Sequence, residues 1–281
     1  MNFWTLAGLP GIVFLGAVFG IPLVLIVIRS FTDPGPENYL EIFTNERYLG
    51  SILRTVGMSL TVTLVCLVLA YPYAYLMARS STFVKLLLGA MLLTSYWTSS
   101  LVRTFAWGAI LNNTGIINQF LQDLGVIDQP LPLIRNMFAV FVGMTHVLLP
   151  YAVLAIYATL RTIDVDLERA ALGMGARPVK AFWRITFPLS LPGVAAGAIL
   201  VFVIGLGFYL TPMYLGGPGQ ELVSEMVARE VQDFLRPGRA AALSVVLLVF
   251  VGLILVIATR FVGLGAIVGN AAIDGRKNAA K

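Results

Sequence analysis

Long apolar runs separated by short polar stretches make up nearly the whole chain. Six runs stand out: Leu6 to Ile28, Thr55 to Met77, Val84 to Ile110, Met137 to Leu160, Leu189 to Met213 and Ala242 to Ala258. About 20 apolar residues in a helix cross the roughly 30 Å of hydrocarbon in a bilayer. Runs this long and continuous fit helices rather than barrel strands, because a helix satisfies its own backbone hydrogen bonds in lipid. The pattern predicts an all-α membrane protein with six transmembrane helices. The third run is the least uniform, since polar Thr94 to Arg103 interrupts it. The first run is expected to be a retained helix. It lacks a Lys/Arg-bearing lead and a small-x-small cleavage site, and it is longer than the apolar core of a signal peptide.

Composition agrees with this reading. Of 281 residues, 58% are hydrophobic and only 12% charged, with a mean hydropathy of +0.88. A soluble protein of that makeup lacks the polar surface to stay dispersed. The net charge of +5 follows topology and needs no nucleic acid. Arg79 and Lys85, then Arg161, Arg169, Arg177, Lys180 and Arg184, then Arg260, Arg276, Lys277 and Lys281 follow the even-numbered runs. The connections after the odd-numbered runs carry fewer, namely Arg29, Arg47, Arg54, Arg135, Arg229, Arg236 and Arg239. The positive-inside rule therefore places both termini and the 161–188 loop in the cytoplasm. Cys66, the only cysteine, lies within the second run. It can form neither an internal disulfide nor a cysteine metal cluster, and reads as a small buried hydrophobe.

Between the runs, Pro34-Gly35-Pro36 precedes an expected short helix near Tyr39 to Phe43. The turn cluster Gly216-Gly217-Pro218-Gly219 precedes an amphipathic stretch from Glu221 to Leu235. There Leu222, Met226, Val227 and Phe234 approximate one face and Glu225 and Arg229 form an i,i+4 pair, so a helix covering the bundle is expected. Gly16 with Gly20, and Gly193 with Gly197, offer close helix contacts. The polar tail from Gly269 onward is expected to be disordered.

Residues 164–188, DVDLERAALGMGARPVKAFWRITFP, are the most informative polar stretch. Asp164 can cap a helix whose first turn holds Asp166, where a carboxylate suits the dipole. Leu167, Ala170, Ala171 and Met174 fall at i, i+3, i+4, i+7 on one narrow apolar face. Gly173 and Gly175 end that helix, and Pro178 can open a second one carrying Val179, Phe182 and Trp183. Two short helices on one side of a membrane are the form of a docking element.

This stretch resembles the EAA loop of the inner-membrane permease subunits of binding-protein-dependent ABC importers. That pattern reads Glu-Ala-Ala, three residues, Gly, nine residues, Ile, one residue, Leu-Pro. Ala170, Ala171, Gly175, Ile185 and Pro188 fall at its spacing, while Arg169 replaces the Glu, with Glu168 one place earlier, and Phe187 replaces the Leu. The segments 96–104 (YWTSSLVRT), 207–212 (GFYLTP) and 215–218 (LGGP) are similar to the spermidine/putrescine-type branch of the family. The resemblance runs from about residue 38 to about 255. It implies a type I ABC importer permease fold, a single permease domain in a cell inner membrane, and no cofactor in this chain. It also implies a second homologous permease, two ATPase subunits that bind ATP and Mg, and an external solute-binding protein. Coupling to the ATPase falls to Leu167, Glu168, Arg169, Ala170, Ala171, Gly173, Met174, Gly175 and Ala176. A polyamine is the favoured solute, with an opine, an amino-acid-like compound or an anionic organic compound as alternatives.

The residues themselves offer no soluble-enzyme chemistry. No Gly-x-x-x-x-Gly-Lys-Ser/Thr loop is present to cradle ATP. A membrane hydrolase needs a nucleophile with a base, and His146 has no Gly-x-Ser-x-Gly elbow to serve. The acids all fall outside the apolar runs, which weakens an ion-coupled secondary transporter without removing it. Arg103 is the feature inside the bilayer that demands an account, because an isolated helix spends about 2.5–3.5 kcal/mol to hold such a charge centrally. It belongs either to an interfacial aromatic belt or to a translocation path. The path reading takes Tyr96, Trp97, Thr98, Ser99 and Arg103 with Tyr209, Thr211 and Pro212, Pro212 breaking the fifth run near its outer end. A polycation favours carboxylates and aromatic faces, and these runs supply only the aromatics.

Overall fold

The computed structural model describes residues 3–262 and is helical throughout, with no strand among the described residues. The helices are α1 (Phe3–Thr32), α2 (Glu37–Thr44), α3 (Glu46–Arg79), α4 (Thr82–Trp97), α5 (Ser100–Ile110), α6 (Ile116–Asp123) and α7 (Met137–Leu160). They continue with α8 (Val165–Gly173), α9 (Pro178–Ala181), a π-helical turn (Phe182–Thr186), α10 (Phe187–Leu206), α11 (Leu210–Leu215), α12 (Val223–Gln232) and α13 (Pro237–Val262). The tail from Gly269 lies outside the described residues.

Five helices are long and apolar enough to cross a membrane: Pro10–Thr32, Glu46–Arg79, Met137–Leu160, Pro178–Leu206 and Pro237–Ile257. The expected third span is not one helix. It divides into α4 and α5 at Thr98 and Ser99, both of which turn to extended ψ values of 132° and 137°. Hydroxyls crowd this point, and those of Thr94 and Thr98 donate back to the carbonyls of Ala90 and Thr94. Such side chains compete with the helical ladder for backbone groups.

The fifth run also differs from expectation. Its helix begins at Pro178, ahead of Leu189, and runs through the π turn into α10. It ends at Leu206, where Gly207 leaves helical geometry, and not at Pro212. Pro212 instead lies in the first turn of α11, where a missing N–H leaves no ladder bond unmade.

The described residues fall into two compact units, 3–53 with Leu222–Gly252, and Arg54–Glu221 with 253–262. In the first, Ile42, Tyr48, Met226, Ala242 and Leu243 form a core against which Tyr39, Ile52 and Val227 pack. The amphipathic stretch becomes α12, with Leu222 and Met226 fully buried, whereas Phe234 stays 42% exposed beneath the guanidiniums of Arg47 and Arg236. The Tyr48 hydroxyl donates to Glu230 Oε1 at 2.7 Å, and Arg239 joins it by pairing with Glu41 and donating to the Tyr48 hydroxyl at 3.4 Å. On α1, a Cβ added at Gly16 or Gly20 meets nothing within 4 Å, so this glycine pair makes no close contact with the other described residues.

The second unit is organised around α7 lying against α10. Gly193 faces Thr159 and Ala155, and Gly197 faces Ala152 and Ala155, so the second glycine pair does bring two backbones together. Gly143 of α7 similarly accommodates Thr211 and Leu215 of α11. Cys66 is fully buried, its thiol against the Thr145 carbonyl at 3.6 Å. Glycine at these crossings replaces side-chain volume with van der Waals contact, which drives helix association in lipid.

Candidate functional site

The elbow between α7 and α10 follows the local signals in its sequence. Asp164 Oδ1 accepts from the Asp166 amide at 2.9 Å and caps α8. At the other end the amides of Met174, Gly175 and Ala176 close onto the carbonyls of Ala170, Leu172 and Ala171. Gly175 adopts φ +85°, which a residue with a Cβ resists. Pro178 opens α9 at its first position.

The two faces of α8 differ in kind. Leu167, Arg169, Ala170, Gly173, Met174 and Gly175 are exposed, Met174 at 83%, and Ala176 is half-buried. Ala171 is buried, so the expected apolar face divides: Leu167, Ala170 and Met174 look out while Ala171 packs inward. Glu168 also turns inward. Its carboxylate accepts from the Thr186 hydroxyl and lies 3.9 Å from Arg79 Nε, and Arg79 Nη1 donates to the Ile163 carbonyl at 3.1 Å. The shifted acid thus fastens the elbow to the ends of α3 and the π turn. Arg169, in the place of the family Glu, pairs at 2.9 Å with Asp166, both side chains 73% exposed. An exposed pair of this kind contributes little to stability. Sequence reasoning missed Arg79 and Thr186 as partners of Glu168, because nothing in their spacing links them.

The polar stretch of the third run builds a second site. Trp107 Nε1 donates to His146 Nδ1 at 3.0 Å, so the neutral imidazole carries its proton on Nε2, which faces Ser95 Oγ at 3.5 Å. Tyr96 stacks edge-on to Tyr151 with ring centroids 5.4 Å apart. Arg103 is buried beside them, only 8% exposed, and its Nε and Nη1 find no hydrogen-bond partner among the described residues. Thr104 and Thr211 share a hydrogen bond of 3.0 Å, joining α5 to α11. Of the expected path residues, Arg103, Thr211 and Pro212 are buried, Thr98 and Tyr209 are half-buried, and Tyr96 and Ser99 are exposed. Trp97 is 79% exposed. His146, Trp107, Tyr151 and Thr104 belong to this site although the path assignment did not include them. On α5, Thr104 and Trp107 stand at i, i+3, a signal legible only once α5 is paired with α7, whereas His146 and Tyr151 lie five residues apart on α7 and share no such spacing.

The chain is similar to known proteins over most of its length. A family model described as binding-protein-dependent transport system inner membrane component matches residues 42–264. The chain is 31% identical over 249 residues to the spermidine/putrescine transport system permease protein PotB of Escherichia coli, covering 85% of this chain and 90% of that one. It is 30% identical over 255 residues to the molybdenum transport system permease protein ModB of Mycobacterium bovis, covering 88% and 92% of the two chains. Among solved structures, a chain of the bacterial alginate ABC transporter in complex with alginate pentasaccharide-bound periplasmic protein superposes with a TM-score of 0.75. The identity there is 18%, with 92% of this chain and 93% of that chain covered.

Proposed function

As a member of the family of binding-protein-dependent transport system inner membrane components, the chain is an ABC importer permease subunit and not an enzyme, and we propose that it carries a small charged organic solute of the polyamine type. The similarity to a spermidine/putrescine permease over 85% of the chain supports that solute class. In this reading the chain is one permease domain with six spans and both termini in the cytoplasm, α4 and α5 together serving as the third span. A second homologous permease stands beside it, an external binding protein delivers the solute, and two ATPase subunits hold ATP and Mg.

Residues 164–188 are the coupling element. The observation that carries this is the division of α8 into an exposed face, with Leu167, Arg169, Ala170, Gly173, Met174 and Gly175, and a fastened face, with Glu168 and Ala171. A partner gripping the exposed face moves a body joined to α3 by Arg79 and to α10 through the π turn. Glu168 and Ala171 act by holding that face in register; Leu167, Ala170 and Met174 touch the partner. The test is Gly175→Trp in the assembled importer. It inserts normally and abolishes solute-stimulated ATP hydrolysis, while Gly175→Asn, which tolerates positive φ, retains it. Normal stimulation in the Trp variant overturns the assignment.

A second solute class, amino-acid-like or anionic, is favoured by one specific observation: the described residues of the Arg103 cluster carry N–H donors and no carboxylate. Uptake competition between spermidine and a carboxylate-bearing amine in reconstituted vesicles decides between the two. Transport by this chain without any ATPase would replace both readings with an ion-coupled carrier.

A further inference from the structure

We propose that the start of the fifth span carries a binding site for the headgroup of an anionic phospholipid. Arg177, Val179, Lys180, Trp183 and Arg184 line a cleft of about 410 Å³. All five side chains are exposed, Trp183 at 57% and Val179 at 69%. The three cations recur at i, i+3 and i+7, so they converge on one side of α9 and the π turn, with Val179 and Trp183 beside them. Among the described residues no carboxylate pairs with any of the three. Arg169, by contrast, is paired, so the elbow's positive charge concentrates in its second half.

Charge and position together select the occupant. Three unpaired cations attract an anion, and each Lys or Arg near an anionic membrane surface is worth roughly fivefold in affinity. A free anion needs no apolar floor, yet this cleft has one in Val179 and Trp183. The same helix proceeds directly into the apolar run that ends at Leu206, and Leu189 and Leu191 are exposed one to two turns beyond the cations. A phosphate among the three cations therefore has an acyl-chain wall next to it. Trp beside Lys and Arg at the end of a span is the arrangement that settles at a headgroup layer. The coupling contacts lie on α8 and at Met174 just past its end, ahead of Arg177, so lipid and ATPase occupy different halves of the elbow.

The inference rests on the cytoplasmic placement of residues 164–188, and its test separates the two claims. The assembled importer, in discs of phosphatidylcholine with increasing phosphatidylglycerol, is compared with Arg177→Gln/Lys180→Gln/Arg184→Gln. Retained phosphatidylglycerol is counted by native mass spectrometry, and solute-stimulated ATP hydrolysis is followed across the same series. The wild type retains phosphatidylglycerol, and the triple variant binds it at least tenfold more weakly. Arg177→Lys/Arg184→Lys, which keeps the charge, restores retention and shows that the fold survives. Gly175→Trp loses coupling while keeping phosphatidylglycerol, so failure of the coupling assignment leaves a different signature. Equal retention by wild type and triple variant overturns the proposal. So does loss of copurifying ATPase with retention unchanged, which reassigns the cations to the ATPase.

Discussion

Replacing Gly193 by Ala measures how closely α7 and α10 approach. A Cβ at position 193 would stand 2.5 Å from Thr159 Oγ1, 2.6 Å from Thr159 Cβ and 3.2 Å from the Ala155 carbonyl. Carbon atoms pack best at about 3.5–4.0 Å, so the clash with Thr159 Cβ runs close to 1 Å deep. Rotation of Thr159 removes the hydroxyl but not its Cβ, and the helices must part. Overpacking of this kind costs about 1–3 kcal/mol. Gly197→Ala is the internal control, since its nearest neighbours are at 3.5 Å, ordinary contact. Both variants share the helix-propensity gain of Ala over Gly, at most about 1 kcal/mol. Their difference therefore isolates the clash. Thermal unfolding of the assembled importer in one detergent should place Gly193→Ala below Gly197→Ala by roughly 2–12 °C, at about 2–4 °C per kcal/mol. Equal midpoints, or Gly193→Ala the higher, refute the packing argument.

Other substitutions probe the remaining contacts. Glu168→Ala leaves Arg79 without its carboxylate and Thr186 without its acceptor; the loss of about 1–3 kcal/mol should appear as faster amide exchange confined to residues 164–188. Exchange unchanged there would mean the elbow is held some other way. Thr211→Val and Thr104→Val each break the 3.0 Å hydrogen bond between α5 and α11, and a double-mutant cycle should give a coupling of about 0.6 kcal/mol, the usual value for such bonds in membranes. Additive effects would say the pair contributes nothing. Gly16→Ala, on a helix face without neighbours among the described residues, should raise the midpoint of the isolated subunit by no more than the helix-propensity gain of about 1 kcal/mol; a lowered midpoint would mean that the face is occupied.

Five of the six expected long helices and the elbow caps were legible because their signals are local. An apolar run needs only its own length, and Asp164, Gly175 and Pro178 act within a turn of themselves. The break at Thr98 and Ser99 was visible as polarity but not as geometry, since hydroxyls in lipid can be absorbed by a straight helix as readily as they can end one. The stop at Leu206 was masked by Pro212, a stronger breaker in sequence than Gly207 but a compatible residue at a helix start. Glu168 turned inward because Arg79 and Thr186 wait there, and that pairing spans residues far apart in the chain. For the same reason Arg103 could be marked as costly, yet not placed beside His146 and Tyr151.

The π-helical turn at Phe182–Thr186 has a geometric effect on everything downstream. One residue is taken up without a compensating rise, so the azimuth of α10 is offset by about 100° from the one a continuous α-helix would give. Tyr71 and Tyr75 hold Phe182 edge-on at 5.8 and 5.4 Å at this joint. Removing a single residue here would close the ladder into ordinary α-helix and swing Gly193 and Gly197 off α7. The phase of α10 against α7 is thus set by one surplus residue in the turn that joins α10 to the elbow.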